Sequence, residues 1–70
     1  MDRIATVKTL DTAWQLIDFL SMELRGCHFQ VEIPQRECFQ VWPAHGFPLA
    51  PQERALIPQM LKAFRQLATA

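Results

Sequence analysis

The sequence predicts a small two-layer α+β module of order α-β-β-α, with a β-hairpin packed on flanking helices. Three observations carry that prediction. The stretch 27–42, CHFQVEIPQRECFQVW, alternates apolar and polar residues in two runs around a polar turn, as a hairpin does. Residues 10–25 and 51–67 repeat apolar residues at helical spacing on either side of it. A two-stranded hairpin does not hold alone in water, so its apolar face needs those helical stripes as cover.

The first helix is expected over residues 10–25. Thr9 or Asp11 can accept the N–H bond that caps its start. Leu10, Ala13, Trp14, Ile17, Leu20 and Leu24 form one stripe, widened by Leu16 and Phe19. Gly26 stands where a left-handed stop is wanted, and Arg25 suits the negative helix end. Ahead of this helix, the arm 1–8 holds Ile4 and Val7. It reads either as a lid or, over Arg3 to Val7, as a brief edge strand.

The first hairpin strand is expected from Cys27 to Ile33, with Pro34 ending it because proline has no N–H for the ladder. The second is expected from Cys38 to Trp42. A two-residue turn at Gln35 and Arg36 would put Phe29, Val31 and Ile33 on the same face as Cys38, Gln40 and Trp42. That splits the best apolar residues between two faces. A three- or five-residue loop moves the pairing by one and gathers Phe29, Val31, Ile33, Phe39 and Val41, so an odd-length loop is expected. The opposite face then carries His28, Gln30, Glu32, Cys38, Gln40 and Trp42.

Pro43 to Ala50 reads as a loop broken by Gly46 and Pro48, with Phe47 and Leu49 tucking back into the core. Pro51 fits the first position of a helix over residues 51–67. Pro58 inside it predicts a kink, or a split into two short helices, near Leu56 and Ile57. Ile57, Met60, Leu61, Phe64 and Leu67 form its buried stripe; Arg54, Lys62 and Arg65 face solvent.

Length bounds what such a module can do. Seventy residues make a single domain, residues 1–70, that buries only about 60% of its unfolded surface. Half the residues are hydrophobic, a large share for so small a body, which points to cover by another chain. The formal net charge is zero, so no bulk attraction to nucleic acid or acidic lipid is expected. Residues 1–38 carry four basic and six acidic groups, net −2, and residues 39–70 carry three and one, net +2. That asymmetry fits pairing of helices or an acidic partner, though an ordinary charged helix face explains it as simply. Three cations on one helix are too small a footprint to make nucleic acid the expected partner. The N-terminus MDRIATVKTL lacks a signal-peptide run, and no apolar run approaches the ~20 residues of a bilayer span. A cytoplasmic address without membrane contact is expected.

The residues able to carry chemistry do not assemble into a motif. Cys27, His28, Cys38 and His45 have no C-x-x-C and no finger spacing, so no metal and no cofactor is expected. Cys38, His28 and Glu32 fall on one hairpin face, but a two-stranded ribbon offers no pocket that excludes water. No catalytic residue is assigned and the chain is not expected to be an enzyme. Trp14 reads as core. Trp42 reads equally as a contact residue or as sheltered under Phe47 or its loop.

A helix, then Gly26 with FQVEI, a turn, CFQVW, and finally Leu49, Pro51 and Glu53 in an L-x-P-x-E pattern opening a helix resembles the tubulysin-type N-terminal docking domains of nonribosomal peptide synthetases. The resemblance covers about residues 10–68. It implies the order helix, hairpin, helices, and a hairpin that receives the tail of an upstream protein in a domain that often dimerises. The chain departs from the pattern at Ala50, where Thr or Ser is usual, and at Pro58, which precedes the usual helix break. The expected function is a bacterial, non-catalytic protein–protein interaction module that binds a protein, a peptide or a second copy of itself through the hairpin. The candidate contact residues are His28, Gln30, Glu32, Arg36, Gln40 and Trp42. The competing expectation is a phage- or plasmid-encoded regulator or inhibitor of a host protein or nucleic-acid complex, using the same surfaces.

Overall fold

The structure is a computed structural model and describes residues 3–69. The expected α-β-β-α order is present, preceded by one more strand. The elements are β1 (Ala5–Val7), α1 (Leu10–Glu23), β2 (Phe29–Gln35), β3 (Cys38–Pro43) and α2 (Pro51–Thr69). Of the two readings of the arm, the edge strand is the one found. The sheet is therefore three-stranded and antiparallel, in the order β1-β3-β2, with β3 in the middle. Met1 and Asp2 of the arm lie outside the described residues. The molecule measures 30 × 29 × 18 Å, and its short dimension is the depth of one sheet and one helix layer.

The hairpin reaches the expected register by another route. Val31 lies opposite Val41 and Glu32 opposite Gln40, which is the pairing an odd loop would give. The loop itself is even: Gln35 pairs with Cys38, leaving Arg36 and Glu37 as a two-residue turn. A β-bulge between Glu32 and Gln35 supplies the missing residue. The turn places Glu37 at φ 58, in the left-handed region normally left to Gly, Asn or Asp. Pro34 thus sits inside β2, at the bulge, rather than ending the strand before it. Ile33 is the residue displaced by this solution. Expected in the core, it is 57% exposed.

Val41, on the central strand, is fully buried beneath α1 residues Ala13, Leu16, Ile17 and Leu20, with Leu24 just past the helix end. Phe29, Val31 and Phe39 pack around this cluster, half-buried. Thr9 caps α1, its hydroxyl accepting from the Thr12 N–H at 3.1 Å; Asp11 lies inside the first turn. Leu10 and Trp14, expected on the buried stripe, are exposed, Trp14 by 50%. Four aliphatic residues of α1, with Leu24 past its end, already fill the helix face above a sheet only three strands wide.

The helix α2 is one unsplit helix despite Pro58. A proline removes its own N–H bond, but Ile57 and Met60 on either side of it are held in the core. Leu49 tucks in as expected, whereas Phe47 and Leu67 do not: both are exposed, Leu67 by 65%. Among the described residues, no helix is long and apolar enough to cross a membrane.

Candidate interaction surface on the hairpin

Both helices contribute to the cluster beneath Val41, so the other face of the sheet is left without a helix. Strand alternation puts Thr6, Gln30, Glu32, Gln40 and Trp42 there. Cross-strand neighbours are Gln30 with Trp42, Glu32 with Gln40, and Thr6 with Gln40. The side chains hold one another. The Trp42 Nε1–H donates to Gln40 Oε1 at 3.2 Å, and Gln30 Nε2 donates to Glu32 Oε2 at 3.4 Å. The His45 backbone N–H donates to Gln30 Oε1 at 3.1 Å, tying the following loop to the sheet. Four of the six candidate residues, Gln30, Glu32, Gln40 and Trp42, therefore form one contiguous grid.

The other two stand apart. His28 lies at the strand's entry, its ring tilted 55° on Phe47 with centroids 4.4 Å apart. Phe47 packs on this ring and not in the core. Arg36 is in the turn, beyond the bulge and outside the ladder. Trp42 is half-buried, sheltered along one side by Pro43, Ala44, His45 and Pro48, which line an open cleft with it. Of the two readings of Trp42, shelter by its loop describes the covered side; the rest of its surface is open.

Away from the hairpin face, Cys27 and Glu53 join the start of the sheet to the start of α2. The Cys27 thiol donates to Glu53 Oε2 at 3.0 Å, and the Ala50 N–H donates to Glu53 Oε1 at 2.7 Å. Glu53 makes one half of a capping box by accepting from the Ala50 N–H; Ala50 has no hydroxyl for the other half, and the second Glu53 oxygen accepts from Cys27. Desolvation, and then the bond to Glu53 and its charge, push the Cys27 thiol up from 9.0 to about 11. At neutral pH it is a thiol and not a nucleophilic thiolate. The Ala50 amide, followed by Cys27, lowers the pKa of Glu53. Sequence reasoning missed this pair, since nothing in the spacing of residues 27 and 53 signals contact. Both cysteines are free. Among the described residues no three His, Cys, Asp or Glu side chains gather to hold a metal ion.

Comparison with family models, with curated proteins and with solved structures matches the chain to nothing.

Proposed function

We propose that this chain is a small cytoplasmic interaction module, without chemistry of its own, that binds another protein or peptide on the helix-free face of its hairpin. The observation that carries this reading is the grid of Gln30, Glu32, Gln40 and Trp42. It offers amide and carboxylate hydrogen-bonding groups around an aromatic ring already fixed through its N–H. Rigid aromatics ringed by polar groups are what interface hot spots are made of. The resemblance to docking domains supports the same use of the hairpin. The half-exposed His28–Phe47 pair would extend the contact at one end, and Arg36 at the other.

The test is a double substitution, Trp42→Ala with Gln40→Ala. A partner retained by the immobilised chain from its native host should bind the variant about tenfold or more weakly, with the circular dichroism spectrum unchanged. Equal retention by both chains, or an unfolded variant, counts against the reading.

A further inference from the structure

We infer that the outer edge of β2 pairs antiparallel with the same edge of a second copy, about a two-fold axis at Val31, doubling the sheet. The inference uses the hairpin's edge, whereas the partner reading above uses its face, so each can fail without the other.

The two sheet edges are unlike. The β1 edge is three residues long, is flanked by Arg3 and Lys8, and has α2 beside it: Ile4, Ala5 and Val7 share clefts with Ile57, Leu61 and Phe64. Short length, cations and a covering helix are the usual protections of an edge. The β2 edge runs seven residues, Phe29–Gln35, with no lysine and with proline only near its tip. Among the described residues no strand covers it.

The backbone selects the register. The Ala44 N–H donates to the His28 carbonyl at 2.8 Å, which makes that opposed pair a hydrogen-bonded one. By alternation Gln30 and Glu32 also turn their N–H and C=O toward β3, and Phe29 and Val31 turn theirs outward. A two-fold axis can pass through an outward-turned residue, opposed to its image as a hydrogen-bonded pair, or through an inward-turned one, opposed as a non-hydrogen-bonded pair. Centred on Glu32, it would set two carboxylates face to face and bring Pro34 into the ladder; centred on Gln30, it would oppose Ile33 to Cys27, whose N–H is held by the Leu24 carbonyl in the turn after α1. Centred on Phe29, the ladder would run into Gly26, at φ 86; centred on Ile33, it would run into the bulge and Pro34. Only Val31 has regular strand on both sides.

That register is self-complementary. On the helix-free face Gln30 meets Glu32 of the second copy, a donor against a carboxylate, and no carboxylate faces its own image. On the other face Phe29 meets Ile33 of the second copy, covering the apolar side chain that the bulge leaves exposed. Trp14 gains a role as well. Phe19, 5.6 Å from Phe64, marks the flank of α1 that faces α2. Trp14 lies about 140° around the helix from Phe19, at 100° per residue, on the flank toward β2. A second copy paired at that edge would come up on the side of this half-exposed ring.

Sedimentation velocity with multi-angle light scattering, over about 1 µM to 1 mM, the range of transient affinities, tests this. The expected species has twice the 8.1 kDa chain mass. Ile33→Lys and Gln30→Glu should each weaken the dimer about tenfold or more, because each change acts twice across the axis. Gln30→Glu with Glu32→Gln restores the complementary pair and should restore the dimer. Circular dichroism confirms that the variants fold; Ile33 is exposed in the monomer, so its replacement leaves the core intact. A monomer throughout, or a dimer indifferent to all three variants, overturns the inference, the first leaving the edge to an extended peptide and the second placing self-association on another surface.

Discussion

The two helices of this chain carry similar apolar stripes and fare differently. The 14-residue α1 buries Ala13, Leu16, Ile17 and Leu20, and the 19-residue α2, among its described residues, buries only Ile57 and Met60. Leu61 and Phe64 are half-covered, and Leu56 and Leu67 are exposed. The difference is one of position. The first helix lies across the central strand, whereas α2 lies along the β1 side, separated from β1 by open clefts, one of about 200 Å³. An amphipathic stripe states what a helix can bury; the width of the sheet beneath decides what it does bury. The start of α2 is tied to the chain before it by Glu53, which accepts from the Ala50 amide and the Cys27 thiol.

The largest expected effect separates the two helices directly. Leu20→Ala should cost about 3–4 kcal/mol, the upper part of the range for a fully buried leucine, and Met60→Ala about 2. Urea unfolding followed by circular dichroism measures both, and equal losses would erase the contrast. Next, Pro58→Ala should stabilise the chain by about 1–2 kcal/mol, less than the full helix penalty of proline because the surroundings have adapted to it. An unchanged midpoint would mean that the second half of α2 unfolds separately from the rest.

The smallest effects lie in the pH dependence of the α2 cap. Glu53 has a lowered pKa, so its contribution is present above the ordinary carboxylate range and is lost as pH falls through the folded value. Cys27 has a raised pKa, so its contribution is complete below 9.0 and is lost as pH rises toward about 11. Stability should therefore decline at both ends. Glu53→Gln should flatten the acid limb and Cys27→Ala the alkaline one; limbs that match those of the unchanged chain would show that the cap does not hold α2.

Hairpin, helix positions and most of the core were legible in order along the chain, because alternation and helical spacing are local. The contact grid was half legible for the same reason: once Val31 is placed opposite Val41, Gln30, Glu32, Gln40 and Trp42 must share the other face. The bulge was not legible. An odd loop and an even turn with a bulge give the same pairing, and only the chain's path through Ile33, Pro34 and Glu37 separates them.

By itself the sequence determined the kind and order of the elements and which face of each was apolar, since those follow from period and from the backbone limits of Gly and Pro. Tertiary structure alone decided that residues 5–7 close one edge of the sheet, that Trp14, Ile33 and Leu67 stay outside, and that Cys27 meets Glu53. Those outcomes depend on how much area three strands offer and on which distant segments share it, and no local pattern records either.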